Sequence, residues 1–358
     1  MSSARINALS TTFRQKFNVD PKRITKWFPT HMYTGMKDMQ RKLKSVDCIL
    51  ELHDARVPLS GRNPHFMSML AAIKPHVLLL NKADLADPNA KDTVLQRLRN
   101  EGTQHALYIR CIEPSRNVDK IVPLVADLIR RSQRYNRQEE YDYNLMVIGI
   151  PNVGKSSLIN ALRKMHLGRG GQATRVGATA GVTMSVLERI KISADPSMYL
   201  LDTPGILSPA TNDPQVALQL ALCGCMLDHL VGPVLMADYL LFWLNQQHNY
   251  RLQILAGLAT AWTHEAASSL MWQGAVSTEA TGLNTSVSDI YVDYLGLDEP
   301  CDDIRLVLYK TAINMKAVLR VRSYEGWTLR ANQEAAAQNF IQGFRRGLLG
   351  KLTFLPDQ

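Results

Sequence analysis

Up to Ser208, short apolar runs alternate with stretches whose apolar residues recur at helical spacing. The runs VDCILEL (46–52), HVLLLN (76–81), ALYIRC (106–111), LMVIGI (145–150), VLERIKI (186–192) and MYLLD (198–202) predict strands. Residues 89–100 and 118–134 predict helices between them. Strands that alternate with helices imply an α/β fold, a mostly parallel sheet with helices on both faces. From Asp213 onward the alternation stops, and an Ala-, Leu- and Gln-rich composition predicts a mainly helical region with a looser middle around VSTEATGLNTSVSD. The expected division is therefore an α/β domain over 23–211 and a helical domain over 212–358, with residues 1–22 set apart.

Residues 1–19 carry Arg5, Arg14 and Lys16, several hydroxyl residues and no acid, with Ile6, Leu9, Phe13 and Phe17 at helical spacing. That pattern suits a mitochondrial transit segment. A basic amphipathic helix that lies on RNA or packs on the domain has the same pattern, so both readings stay open. The chain's 41 Lys and Arg against 32 Asp and Glu favour a polyanionic partner over an acidic protein surface. Its five cysteines include no C-x-x-C pair, which suits reduced thiols, and Cys223-Gly-Cys225 fits packing better than metal binding. The most apolar run, Leu230–Leu244, is too short to span a bilayer and contains Pro233 and Asp238, so no transmembrane segment is expected.

The chemistry concentrates in three short motifs. Gly149-Ile-Pro-Asn-Val-Gly154-Lys155-Ser156 fits G-x-x-x-x-G-K-[ST], and lies between a predicted strand and the helical pattern SSLINAL. Backbone N–H groups from Asn152 through Val153 and Gly154 to Ser157, at a helix N-terminus, suit phosphate oxygens. Lys155 can reach the β and γ groups, and the Ser156 hydroxyl can bind magnesium. In LLDTPGI, Asp202 ends a predicted strand where it can hold that magnesium through water, and the Gly205 N–H can sense a γ-phosphate. The glycine-rich, basic segment Gly168–Thr183 between them is long enough to be a switch; Thr183 is the preferred magnesium-binding threonine, with Thr174 and Thr179 as competitors. The third motif is Asn81-Lys82-Ala83-Asp84, whose aspartate can accept from the two donors on guanine's edge, a pair adenine does not offer. Arg110-Cys-Ile-Glu-Pro-Ser is a weaker candidate for the loop that closes over the base.

The base-reading motif precedes the phosphate loop, an order that resembles the circularly permuted P-loop GTPases. Such rearrangement costs little where the original termini lay close together at the surface. It makes the segment after DTPG lead straight into the C-terminal region. WFPTHM (27–32), DARVPLSGRNP (54–64), NKADL, GIPNVGKSSLIN, GVT and DTPGIL together resemble the YlqF-type ribosome-assembly GTPases, in particular their mitochondrial members. The resemblance covers Trp27 to Leu244 well and the remainder loosely.

What this resemblance implies is GTP hydrolysis with Mg2+, and with K+ held by Asn152. Ile206 stands where many GTPases carry a water-positioning glutamine, and His31 corresponds to the family's candidate for that task; a structural histidine in a local turn is the alternative. Thr30 and Ala180 replace the family's usual glycine and proline in WFPGHM and PGVT. The implied partner is the large subunit of the mitochondrial ribosome with its rRNA, in the mitochondrial matrix and with peripheral inner-membrane association as an option. Arg305, Lys310, Lys316, Arg320, Arg322, Arg330, Arg345, Arg346 and Lys351 agree with an RNA-facing C-terminal region, in which NFIQGFRRGLLGKLTF has the alternation of a phosphate-contacting helix. Docking of that helix on the GTPase domain or on a membrane surface competes with this reading. A nucleotide-stabilised rRNA-binding scaffold with negligible turnover, and a cytosolic or bacterial assembly GTPase, remain as alternative functions.

Overall fold

The computed structural model describes residues 13–19, 42–60, 62, 74–112, 117–134, 137–168, 189–201, 213–247, 287–323 and 326–355. It divides into two compact units, Asp20–Val231 with Lys351–Gln358, and Met1–Val19 with Gly232–Gly350. The chain thus changes unit after residues 19, 231 and 350, whereas the sequence pattern places divisions after 22 and 211.

The first unit contains a six-stranded sheet. Its strands are β1 (Cys48–Asp54), β2 (His76–Asn81), β3 (Ala106–Tyr108), β4 (Tyr143–Ile148), β5 (Arg189–Ser193) and β6 (Met198–Leu201), in the order β3-β2-β1-β4-β6-β5. All pairings are parallel except β5 with β6. Each of the six predicted strands is present. β1 is buried along its whole length and β2 at every residue after His76, the continuous apolar run of a strand covered on both faces. Between β1 and β4 the sheet order reverses, since the chain proceeds from β1 toward one edge and from β4 toward the other. In open α/β sheets ligands bind at such a switch point, beyond the carboxyl ends of the strands.

Helices α1 (Lys91–Asn100), α2 (Ile121–Arg131), α3 (Lys155–Leu167) and α4 (Pro214–Leu222) belong to this unit. The apolar face of α2, with Ile121, Val122, Val125, Ala126 and Ile129, is buried at helical spacing. On α1, Val94 and Leu98 join Leu78, Leu80, Ala86 and Leu355 in one core cluster. Leu355 comes from the end of the chain, where residues 351–355 form a strap on this unit. The Leu352 N–H donates to the Leu85 carbonyl at 3.2 Å and the Phe354 N–H to the Arg56 carbonyl at 2.7 Å. α4 begins at Pro214 after the capping aspartate Asp213, and its Gln219 side chain accepts from the Ser60 hydroxyl at 3.0 Å. These contacts tie residues 213–231 to the sheet.

In the second unit are α5 (residues 233–247), α6 (Val287–Leu295), α7 (Ile304–Asn314), α8 (Gln333–Arg345) and a two-stranded ribbon, β7 (Val318–Ser323) with β8 (Gly326–Ala331). The region is mainly helical, as its composition predicts; the ribbon is an addition to that expectation. Phe340, Ile341 and Phe344 on α8 are buried. Further along the same run, Leu349, Leu352 and Phe354 are buried too. The aromatic residues of NFIQGFRRGLLGKLTF are therefore core, and the basic residues of the run are the ones left for a phosphate.

Residues 13–19 also have a packed role. Phe13 and Phe17 are buried, and the Phe17 ring lies 5.1 Å from Tyr239 and 5.5 Å from Phe242. Arg14 pairs with Asp238 at 2.8 Å and Asp302 at 3.0 Å. This stretch contains bends and extended backbone rather than a helix. Packing on the domain accounts for Phe13 and Phe17, while Ile6 and Leu9 lie outside the described residues. Among the described residues no helix is long and apolar enough to cross a membrane.

Candidate nucleotide site

Strand β4 delivers the chain into a tight loop at the switch point, and α3 leaves it. Gly149 has φ +152°, and a Cβ there would lie 2.2 Å from the Leu52 carbonyl oxygen of the neighbouring strand. Asn152 has φ +59° and Gly154 φ +103°, so the backbone turns twice through conformations suited to asparagine and glycine. A turn of this kind before a helix N-terminus leaves N–H groups without intrahelical partners, which suits anionic oxygens. The side chain of Lys155 is folded into the loop, with Nζ donating to the Gly149 and Ile150 carbonyls at 3.0 Å each. Ser156 and Ser157 occupy the first turn of α3. A Cβ on Gly154 would meet the Asn81 amide nitrogen at 2.4 Å, so this cradle is shaped by the base-reading loop itself.

Asn81 joins the two halves of the site. Its Nδ2 donates to the Val153 carbonyl at 2.7 Å, and its Oδ1 accepts the Cys111 N–H at 3.1 Å. One buried amide thus ties the end of β2 to the phosphate loop and to the segment after β3. That segment packs where the sequence places a base-closing loop: the Ala83 N–H donates to the Ile109 carbonyl at 3.2 Å, and Arg110 lies 3.5 Å from Asp84. Asp84 is partly exposed.

Two residues the motif reading left without a role organise the base reader. Asp54 ends β1, and its carboxylate accepts from Arg56 Nε at 2.9 Å and Nη2 at 2.8 Å while pairing with Lys82 Nζ at 2.9 Å. Arg56 is only 1% exposed. Burial disfavours the Asp54 charge, but the Arg56 guanidinium and the Lys82 ammonium outweigh it and hold the carboxyl well below the usual carboxylate range. Lys82, at φ +58°, is therefore held by a permanently charged partner. DARVP in the sequence marks these residues; their pairing with Lys82 is a through-space contact that spacing alone does not reveal.

A second missed element is the turn after α4. Asn152 Nδ2 donates to the Gly224 carbonyl at 2.8 Å, which orients the amide that the sequence reading gives to potassium. Cys223 and Cys225 on either side are buried and free, and burial pushes the Cys225 thiol up to about 12. Their burial agrees with a packing role. His31, Thr183, Asp202 and Gly205 lie outside the described residues. The structure brings together Asn81, Lys82, Asp84, Asn152, Val153, Gly154, Lys155, Ser156 and Ser157.

The fold and this site define a circularly permuted P-loop GTPase, its base-reading strands β1–β3 preceding the phosphate-loop strand β4 in the chain. Residues 144–260 match the family described as 50S ribosome-binding GTPase. Over 354 residues the chain is 42% identical to mitochondrial GTPase 1 of Aedes aegypti, covering 98% of this chain and 99% of that one. It is likewise 42% identical over 346 residues to mitochondrial ribosome-associated GTPase 1 of Xenopus tropicalis, covering 96% and 98%. GNP-bound YlqF from T. maritima has the same fold, with a TM-score of 0.51 and 17% identity over 90% of this chain and 97% of that one. The chain belongs to the family of mitochondrial ribosome-associated GTPase 1. It is a GTP-hydrolysing enzyme.

Proposed function

We propose that this GTPase serves assembly of the mitochondrial ribosome, binding the immature large subunit in its GTP state and leaving after hydrolysis. The Asn81 bridge carries the nucleotide part of this reading, because it fastens base reader and phosphate loop into one site. The printed names and near full-length similarity of the relatives support the ribosomal and mitochondrial parts. Asp84 accepts from guanine, with Lys82 held beside it by Asp54. The loop N–H groups and Lys155 take the phosphates. Mg2+ fits the hydroxyl of Ser156 at the start of α3, with Thr183 and Asp202 completing its set and Gly205 sensing the γ-phosphate. Since Asn152 Nδ2 is a donor to Gly224, the atom this amide offers K+ is its oxygen. His31 is assigned to the attacking water, which Ile206 cannot position.

The deciding experiment measures GTP turnover by the purified protein, with and without large mitochondrial subunits, in potassium and then in sodium. Stimulation by subunits in potassium, lost in His31→Ala while GTP binding persists, is the expected result. Tight GTP binding without turnover in any condition would overturn the mechanism. Turnover indifferent to subunits would overturn the ribosomal role, and equal rates in the two salts would remove potassium from the site.

A further inference from the structure

The ribbon of the second unit is exposed on both faces. Its root is fixed: the Asn332 N–H donates to the Ala317 carbonyl at 2.9 Å, closing the base between the end of α7 and the start of α8. Asn332 also caps α8 through its side chain, which accepts the Ala335 N–H. An isolated two-stranded ribbon is marginally stable in water, and among the described residues these contacts anchor this one at its base end. Most of its side chains are exposed.

Paired residues of an antiparallel ladder share a face. The register Val318↔Ala331, Arg320↔Leu329 and Arg322↔Trp327 therefore puts Arg320, Arg322, Trp327 and Leu329 together. Trp327 is 60% and Leu329 70% exposed, and both arginines are exposed beside them. The Arg320 guanidinium sits 5.1 Å from the centre of the Trp327 ring, a diagonal cation–π contact that fixes the indole without covering it. Neither strand contains an acid; Glu325 falls between them in the sequence.

We propose that this face is an RNA-docking element, in which Trp327 stacks on an unpaired base and Arg320 and Arg322 neutralise the adjoining phosphates. The proposal rests on the ribosomal reading above and names the element and the form of RNA. The composition favours RNA over a protein partner. Two arginines of β7 stand directly beside Leu329 and Trp327 of β8, with no acid on either strand, a face that suits a polyanion. An exposed indole with flanking guanidinium groups matches the stacking platforms of single-stranded nucleic-acid binders. Looped or single-stranded RNA is preferred to duplex, because a base must be unstacked to lie on the ring.

The test uses the full-length protein and a fluorescein-labelled single-stranded RNA of about 12 nucleotides, with a duplex of the same length for comparison. Fluorescence anisotropy of wild type is expected to show tighter binding to the single strand. Trp327→Ala should weaken that binding about tenfold, in line with the loss of one stacked base. In Arg320→Gln/Arg322→Gln, the slope of log affinity against log salt should fall by about 1.4. All three substituted side chains are exposed, so thermal midpoint and GTP turnover without subunits should match wild type and serve as controls on folding. Equal single-strand affinity in wild type and Trp327→Ala overturns the proposal, as does preference for the duplex. Variants that lose large-subunit binding yet retain oligonucleotide affinity would assign the ribbon to a ribosomal protein instead. Should wild type and both variants bind subunits equally, only the ribbon's role fails; wild type that binds neither subunits nor RNA removes the ribosomal reading itself.

Discussion

Asp54→Asn isolates the contribution of the triad Arg56–Asp54–Lys82, in which Arg56 and Asp54 are buried and Lys82 is partly exposed. The substitution keeps the shape of the side chain and removes its charge. One of the two acceptors facing Arg56 and Lys82 becomes an NH2 group, so donors confront donors at 2.8 to 2.9 Å. Arg56, fully enclosed, cannot turn to water. Removing one partner of a buried ion pair costs about 3–5 kcal/mol, because the remaining charge stays buried without compensation. For a domain of this size that corresponds to a fall in Tm of roughly 6–20 °C, and it consumes a large part of the 5–15 kcal/mol typical of a folded domain. Denaturant melts should show a lower midpoint at unchanged slope. The double variant Asp54→Asn/Arg56→Met removes the orphaned guanidinium and should recover about 2 kcal/mol or more of the loss. Fluorescent GDP titration reads the second consequence: Lys82 loses its holder in both variants, so nucleotide affinity stays low even where stability returns. A single variant within about 1 kcal/mol of wild type, or a double variant no more stable than the single, would refute the reasoning.

Gly154→Ala places a methyl 2.4 Å from the Asn81 amide at φ +103°; strain of about 1–3 kcal/mol at the cradle should raise the GDP dissociation constant roughly 5- to 150-fold, read by the same titration. Phe354→Ala empties a fully buried position under the strap and should cost about 3–5 kcal/mol in the denaturant stability of the first unit. Phe17→Ala should cost the second unit a similar amount, read in the same denaturant melts. The carboxyls of Glu51 and Asp54 both lie below their ordinary values: burial opposes each charge, while His53, His76 and Arg62 overcome it at Glu51, and Arg56 and Lys82 at Asp54. Groups lowered on folding add stability above their unfolded values of about 4.3 and 3.9 and lose it as pH falls through and below them. The denaturant midpoint should therefore drop between about pH 5 and pH 3, less steeply in Glu51→Gln than in wild type, and a flat profile would show that these carboxyls are not held low.

What could be read in the sequence was what local periodicity encodes. A parallel strand covered on both faces must be apolar at nearly every position, so β2 coincides with its apolar run, residues 76–81. Expected strand ALYIRC shortens to Ala106–Tyr108: the Ile109 N–H still donates to the Leu80 carbonyl of β2, but by Cys111 the backbone N–H has passed to the Asn81 side chain. The ribbon had a local signal in Leu319-Arg320-Val321-Arg322 and Gly326, but in an Ala- and Leu-rich surrounding the regional composition outweighed it. Aromatic and basic residues along α8 show by their spacing that the helix has two faces, not which of them the core will claim. Contacts between distant segments leave no periodic trace at all. Asp54 to Lys82, Asn152 to Gly224 and Phe354 to Arg56 each join residues that only the folded chain brings together. Those are the contacts that orient the nucleotide-site side chains, so motif spacing reveals which groups meet the nucleotide, while the fold determines what holds those groups in place.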